Sequence, residues 1–210
     1  MKTRLVFLGP PGAGKGTQAL LIAGKYSFSR IATGDILREA ITRETALGRR
    51  AKDFMDNGAL VPDDIVNEIL REKIESTGNG YIIDGYPRTI PQADFLSGVA
   101  SVDMAVYFDA PEDILVQRIV NRRVCPKCNA VYNTSENPPK TSGKCDRDGS
   151  DLVHRSDDVE EITRERIKTF WQKTAPLVDY YFRRGLLAKV SAGRTLEEVT
   201  AEIEQAINSS

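Results

Sequence analysis

The sequence predicts an α/β fold built on a parallel sheet. Short apolar runs at residues 6–8, 81–83 and 104–108 alternate along the chain with segments of helical periodicity. Strands that alternate with helices pair in parallel, because the chain crosses over through a helix before each new strand. The length of 210 residues fits one such core with smaller insertions.

The first predicted element is a strand, a glycine-rich loop and a helix within residues 6–26. Glycines at positions 9, 12, 14 and 16 let backbone N–H groups turn towards an anion, and the start of the helix adds partial positive charge. Lys15 has the spacing of the GxxxxGK[ST] motif, although Gly16 takes the hydroxyl position and Thr17 supplies the hydroxyl one place later. We therefore interpret the segment as a phosphate-binding loop and not as a simple turn.

Residues 32–61 are predicted to form a small helical insertion. Residues 33–35 are typical of a turn and a helix cap, and apolar positions from 36 to 41 continue as a helix. Two further helices are predicted between residues 48 and 74, broken at Gly58, with Pro62 near the start of the second.

Two more strands end in acidic residues. Residues 81–84 end at Asp84 before a glycine and a proline, and residues 104–109 end at Asp109 before a helix. In phosphate-loop proteins an acidic strand end of this kind lies beside the loop, near the metal ion. Asp84 is therefore a candidate site residue.

Residues 125–153 interrupt the α/β pattern and are too short and polar to build an ordinary core. The spacing Cys125-x2-Cys128-x16-Cys145-x2-Asp148 resembles two knuckles that converge on a structural Zn²⁺ ion. Alternatively, Asp148 is only a turn residue and water or His154 is the fourth ligand, or the segment folds without metal.

The C-terminal part predicts long helices over residues 157–185, a last strand within 186–193 and a final helix. That helix has a capping box from Thr195 to Glu198 and an apolar face at residues 196, 199, 203 and 207. Phe170, Trp171, Tyr180 and Tyr181 follow a helical pattern and are predicted to lie in the core.

Several arginines lie next to predicted turns, where guanidinium groups are suited to bidentate contacts with phosphate. They are Arg38, Arg88, Arg118, Arg122, Arg155 and Arg166. Taken singly, each is better explained as a solvated surface residue.

Composition narrows the class of protein. Hydrophobic residues at 40% and charged residues at 28% are typical of a soluble domain, and the start of the chain does not read as a signal peptide. Because 29 basic and 30 acidic residues are interleaved, we expect neither nucleic acid nor a membrane as partner, and a cytoplasmic protein. The single histidine argues against a catalytic triad.

The motifs GPPGAGKGT, ATGDILR, DGYPRT with Gln92, RRVCPKC and HRSDD with Arg166 together resemble the adenylate kinase family, in its long form with a zinc-binding lid. The resemblance covers essentially the whole chain. It implies the P-loop nucleoside monophosphate kinase fold, with a parallel five-stranded core, helices on both faces, and two insertions. The core would be residues 1–31, 62–120 and 159–210, the AMP-binding insertion 32–61 and the lid 121–158.

The resemblance also implies the ligands of each nucleotide. The phosphate loop and the lid would bind ATP through Gly12, Ala13, Gly14, Lys15, Gly16, Thr17, Arg118, Arg122, Val131, Tyr132 and Arg194. The insertion and the end of the third strand would bind AMP through Thr33, Arg38, Ala59, Leu60, Val61, Gly85, Tyr86, Pro87, Arg88, Gln92, Arg155 and Arg166. The catalytic residues would be Lys15, Asp84, Arg88, Arg122, Arg155 and Arg166, and the metal ligands Cys125, Cys128, Cys145 and Asp148.

The implied reaction is reversible in-line transfer of the γ-phosphoryl group of MgATP to AMP, giving two ADP, by a monomer. Asn133 stands where the family commonly has histidine, and Asp148 where cysteine is more frequent. One alternative is a kinase for UMP, CMP or GMP. Another is a phosphate-loop regulatory protein with a zinc module.

Overall fold

The computed structural model describes residues 1–78 and 80–209. Its strands are β1 (Arg4–Leu8), β2 (Ser29–Ala32), β3 (Tyr81–Asp84), β4 (Met104–Asp109), β5 (Arg122–Val124), β6 (Val131–Asn133) and β7 (Leu187–Ser191). Its helices are α1 (Lys15–Tyr26), α2 (Thr33–Thr42), α3 (Ala46–Asp56), α4 (Asp63–Glu75), α5 (Ile90–Val99), α6 (Glu112–Val120), α7 (Glu160–Thr169), α8 (Pro176–Phe182) and α9 (Leu196–Asn208). A 3-10 turn covers Ser156–Asp158, and a π-helical turn over Phe170–Thr174 joins α7 to α8. Among the described residues, no helix has the length and apolar character needed to cross a membrane.

Five strands form one sheet in the order β2-β3-β1-β4-β7, and every pairing in it is parallel. This confirms the predicted fold class and places β1 at the centre. The apolar pattern did not identify β2, because only two of its four residues are buried. Its partner β3 lies about fifty residues further along the chain, so local sequence gives little indication of the pairing.

The two faces of β1 belong to two separate hydrophobic cores. Leu5 and Phe7 pack on one side with α1, α6 and α9, whereas Val6 and Leu8 pack on the other with α2, α4, α5 and α8. Successive side chains of a strand point to opposite faces, so an apolar run without polar interruption is the sequence of a strand covered on both sides. Helices therefore lie on both faces of the sheet, as predicted.

The phosphate loop is held tightly between strand ends and α6. Gly12 has φ 86°, and a Cβ there would lie 2.7 Å from the backbone oxygen of Leu115. A Cβ on Gly9 would lie 2.9 Å from the oxygen of Phe108. Because glycine has no Cβ, it lets the loop lie this close to the end of β4 and to α6.

The insertion of residues 32–61 and the cysteine-bearing segment of residues 121–158 are stabilised by different contacts. In the insertion, α2 and α3 pack so closely that a Cβ on Gly48 would overlap the backbone carbonyl of Ala40. The other segment is built on the antiparallel pair β5 and β6, and its small core consists of Cys125, Ala130, Tyr132 and Cys145.

Two predicted core residues and one predicted helix boundary differ from the structure. Trp171 is 43% exposed, because the buried stripe along this part of the chain runs through Phe170, Thr174 and Leu177 and leaves the neighbouring position outside it. Leu196 is likewise exposed at the first turn of α9. Residues 33–35, predicted as turn and cap, already form the first turn of α2. Phe170 and Tyr181 are buried as predicted, and Tyr180 is half-buried.

We expect Gly48→Ala to lower the free energy of unfolding by about 1–3 kcal/mol, because the added methyl group must separate α2 from α3. Gly24→Ala is the matched control. Gly24 lies on α1 with no atom within 4 Å of its Cβ position, so alanine there should stabilise the protein by about 0.5–1 kcal/mol through helix propensity. Urea unfolding of both variants measures the difference; equal effects would contradict the close approach of the two helices.

Candidate active site

A cleft of about 600 Å³ opens at the carboxyl ends of the sheet strands. The core contributes Leu8, Asp84 and Ala192 to its lining, and both insertions contribute as well, for example through Leu60 and Val131. A smaller pocket of about 50 Å³ adjoins it beside the insertion, and the two share Arg38 and Arg88. Ligands of parallel α/β proteins bind at this edge of the sheet.

Lys15 lies at the floor of the cleft, where α1 begins. Its Nζ donates to the carbonyl oxygens of Gly9 and Pro10, each at 2.8 Å. Burial lowers the pKa of Lys15, Asp84 opposes this and nearby arginines add to it, and together they bring the pKa to about 8. A bound polyphosphate would remove this penalty, so the lysine is arranged for an anionic ligand.

Five arginines converge on the same space, and we call them the arginine cluster: Arg38, Arg88, Arg122, Arg155 and Arg166. Burial lowers the pKa of Arg88 to about 10, and neighbouring arginines add to the effect. The same causes lower the pKa of Arg155 to about 9. Guanidinium groups that are destabilised by burial and by one another are suited to bind a multiply charged anion.

Three carboxylates hold four members of the arginine cluster, and the sequence analysis assigned none of the three a role in the site. Asp35 Oδ1 accepts from Arg38 at 2.7 Å and from Arg155 at 3.0 Å. Asp158 accepts from Arg122 Nε at 2.7 Å, and Asp157 lies 3.0 Å from Arg166. Asp35 and Arg38 are neighbours within the motif ATGDILR, but Arg155 lies 120 positions from Asp35 and Arg122 lies 36 positions from Asp158. No local pattern reveals these two distant pairings.

The smaller pocket is lined by Thr33, by residues 59–61 and by Gln92. The Gln92 amide is fixed, because its Oε1 accepts from Arg88 N at 2.7 Å and its Nε2 donates to Asp63 at 2.7 Å. Tyr86 lines neither pocket. Its ring is fully buried and its hydroxyl lies 2.6 Å from Asn67 Oδ1, so its side chain is part of the core. The contact of Tyr86 with AMP stays a prediction.

The larger cleft is also lined by Arg118, Val131, Tyr132 and Arg194. Arg118 pairs with Glu136 at 3.0 Å and donates to Ala192 O at 2.8 Å. The Tyr132 hydroxyl lies 3.5 Å from Cys145 Sγ, so this ring lines the cleft and also supports the cysteine cluster. Every other predicted nucleotide ligand, apart from Tyr86, likewise lines one of the two pockets: Gly12, Ala13, Gly14, Gly16, Thr17, Gly85 and Pro87.

Cys125, Cys128, Cys145 and Asp148 each offer a ligand atom, and these atoms all lie within 4.8 Å of one another. The Cys128 and Cys145 sulfurs are 3.6 Å apart, and Cys125 Sγ lies 3.4 Å from Asp148 Oδ2. Tetrahedral Zn²⁺ with bonds of about 2.3 Å to sulfur and 2.0 Å to oxygen has edges of about 3.8 and 3.5 Å. The donor set and its spacing therefore fit a structural zinc ion.

Comparison with known proteins agrees with this geometry. The adenylate kinase family model matches residues 7–186. The adenylate kinase of Archaeoglobus fulgidus is 45% identical over 207 residues, which cover 95% of each chain. That of Methanothrix thermoacetophila is 44% identical over 97% of this chain and 98% of its own, and that of Clostridium perfringens 42% identical over 97% and 96%.

The ion pairs of Asp35 predict a pH-dependent stability. Burial opposes the charge of Asp35, but Arg38, Arg155 and Arg30 outweigh it and lower the pKa from 3.8 to about 2. Because the folded-state pKa is the lower one, these pairs stabilise the fold fully above the unfolded pKa and lose their contribution as the pH falls towards 2.

We therefore expect Asp35→Asn to lower the free energy of unfolding by about 2 kcal/mol at pH 7 and by progressively less between pH 4 and pH 2. Urea unfolding at several pH values measures this. Asp53→Asn, at an exposed position of α3, is the control and should change stability by less than about 0.5 kcal/mol. A loss for Asp35→Asn that stays constant down to pH 2 would contradict the assigned pairs.

Proposed function

The chain belongs to the adenylate kinase family, and from this premise we propose how its own residues transfer the γ-phosphoryl group of MgATP to AMP. The chain is an ATP:AMP phosphotransferase; its substrates and products are ATP, AMP and ADP, and Mg²⁺ accompanies ATP. The residue assignments rest on one observation: Lys15 and the arginine cluster line the same cleft, at the start of α1.

We assign ATP to the larger pocket. Backbone N–H groups of residues 12–17 and the Lys15 ammonium would bind its phosphates, since they surround the start of α1. Arg118, Arg194 and the pair Val131–Tyr132 line the far wall and would enclose the adenine. The planar guanidinium of Arg118 is suited to stack on the base, because Glu136 and the Ala192 carbonyl fix its orientation.

We assign AMP to the smaller pocket and the region it shares with the cleft. Arg38 and Arg88 face both spaces and would hold the AMP phosphate towards the γ-phosphate of ATP. Thr33 and the backbone of residues 59–61 would enclose the nucleoside. The fixed amide of Gln92 would read the base, which favours adenine over other bases.

The chemistry then depends on position and charge. The attacking oxygen of AMP is already anionic at neutral pH, so the reaction needs no general base. Lys15, Arg88, Arg122, Arg155 and Arg166 would neutralise charge that moves onto the transferred group and the leaving oxygen. Asp84, which lies at the end of β3 beside the loop, would orient the water shell of Mg²⁺.

We further propose that residues 121–158 act as a lid over the core of residues 1–31, 62–120 and 159–210. Arg122 and Arg155 lie on this segment and contact Asp158 and Asp35 respectively. Closure that brings these arginines to the phosphates would also exclude water, which otherwise competes with AMP for the γ-phosphoryl group.

We propose that Cys125, Cys128, Cys145 and Asp148 hold one structural Zn²⁺ ion in that lid, where it replaces a hydrophobic core. Thiols arranged for metal are typical of a reducing compartment, which favours the cytoplasm. The cleft is assembled from one chain, which favours a monomer.

The experiment that tests the proposed function is a turnover assay with MgATP and AMP, UMP, CMP or GMP in turn. ADP formation from AMP at a much higher kcat/KM than from the other monophosphates is expected. Preference for another monophosphate would reassign the acceptor, and ATP hydrolysis without transfer would indicate a regulatory protein.

We expect Lys15→Met to keep the fold and to lower kcat by at least about 100-fold, because a fixed charge at the developing negative charge is lost. Lys25→Met is the control on the same helix; Lys25 is exposed and pairs with Glu204. Circular dichroism and kcat measured on both variants test this. Activity of Lys15→Met within about tenfold of wild type, a difference of 1.4 kcal/mol, would remove the lysine from the catalytic residues.

For the lid we expect about one zinc per chain in protein purified without chelators, the stoichiometry of one four-ligand site. Cys128→Ser should lower metal content and melting temperature together, yet leave transfer measurable at low temperature, because this thiol contacts no nucleotide in the proposed site. Asp148→Cys should retain the metal.

Lys127→Ser is the matched control, since Lys127 is exposed and adjoins Cys128 in the same knuckle. Metal analysis and thermal unfolding of the three variants are the measurements. Wild-type protein without metal, or Cys128→Ser with unchanged melting, would refute the structural zinc ion.

A further inference from the structure

Arg30, the second residue of β2, has no role in the mechanism above, yet it lines the cleft. Its Nη1 lies 2.9 Å from Asp35 Oδ2, and its Nη2 donates to Asp84 Oδ2 at 2.8 Å. One guanidinium therefore joins the carboxylate beside the metal position to the carboxylate that holds Arg38 and Arg155.

The pair of Arg30 and Asp84 lies directly against the phosphate loop. A Cβ on Gly16 would lie 3.3 Å from Asp84 Oδ2 and 3.4 Å from Arg30 Nη2. Gly16 occupies the position at which GxxxxGK[ST] has a hydroxyl, so here the ion pair fills the space next to the loop. The guanidinium is thus close to any phosphate and metal ion bound there.

The ion pairs of Arg30 are largely removed from solvent. The side chains of Arg30, Asp35 and Asp84 are 16%, 18% and 12% exposed. Burial alone would lower the pKa of Arg30, but the two carboxylates outweigh it and raise the pKa. Arg30 is therefore a permanent cation at this position, and its charge is weakly screened.

On the basis of the proposed function, we propose that Arg30 is a positioning residue for the metal side of the ATP site. It holds Asp84 and Asp35 in place and supplies a fixed positive charge beside the bound Mg²⁺. Without Arg30, the negative charges of Asp84 and Asp35 near the proposed metal position would be less neutralised. The site would then bind metal-free ATP poorly and would depend more strongly on Mg²⁺ for charge balance.

The test compares binding of MgATP with binding of ATP in the presence of EDTA, both by isothermal titration calorimetry without AMP. The quantity of interest is the Kd for metal-free ATP divided by the Kd for MgATP. In Arg30→Gln we expect this ratio to rise by about tenfold over wild type, because loss of a nearby cation penalises the more negative ligand. Arg30→Lys keeps the charge and should restore the ratio.

Arg43→Gln is the matched control. Arg43 forms an exposed ion pair with Glu39 at 2.8 Å, so its loss changes net charge equally without changing the site, and the ratio should stay at the wild-type value. A loss of packing alone would weaken the binding of MgATP and of metal-free ATP equally and leave the ratio unchanged.

An unchanged ratio in folded Arg30→Gln, or an equal rise in Arg30→Lys, would overturn the proposal. Should Arg30→Gln not fold, Arg30→Met serves as the second neutral variant with the same expected rise. If neither neutral variant folds, Arg30 belongs to the stability of the fold and the proposal fails. Wild-type turnover of MgATP with AMP tests the proposed function separately, so the two failures are distinguishable.

Discussion

The rest of this structure depends on holding many positive charges close together at one edge of a parallel sheet. Lys15 and the arginine cluster repel one another. Burial and this repulsion together lower the pKa of Lys15, Arg88 and Arg155. Before a nucleotide binds, the carboxylates of Asp35, Asp157 and Asp158 compensate this charge. The bound phosphates of two nucleotides would compete for the same guanidinium groups, so binding and rearrangement are coupled by electrostatics.

The fold meets this requirement by distributing the charges over parts of the chain that are fixed by different contacts. The phosphate loop is fixed by glycines that lie against strand ends and α6, and the insertion is fixed by the close contact of α2 with α3. The segment built on β5 and β6 has only a small core around its cysteines. The contact between Asp35 and Arg155 connects two of these parts.

Much of this could be predicted from local sequence, because the informative features are local. The loop needs glycines at fixed spacing, a buried strand needs an apolar run, and a metal knuckle needs two ligands three positions apart. The pairing of Arg30 with Asp84 spans 54 positions, and Asp35 contacts Arg155 across 120, so no periodicity reports either. Trp171 was predicted to lie in the core because it follows a helical pattern of apolar residues. The buried face that includes Phe170 does not extend to the adjacent Trp171.

The exposed position of Trp171 has a practical consequence. It is the single tryptophan of the chain, and its indole meets the ring of Phe170 edge to face with centroids 5.1 Å apart. Phe170 lines the cleft, and Thr174 in the same π-helical turn donates to the Arg88 carbonyl at 2.9 Å. The indole is therefore one aromatic contact away from the nucleotides while remaining open to solvent. The chain thus carries an intrinsic fluorophore next to the cleft, and we expect its emission to report occupancy of the cleft without any attached dye.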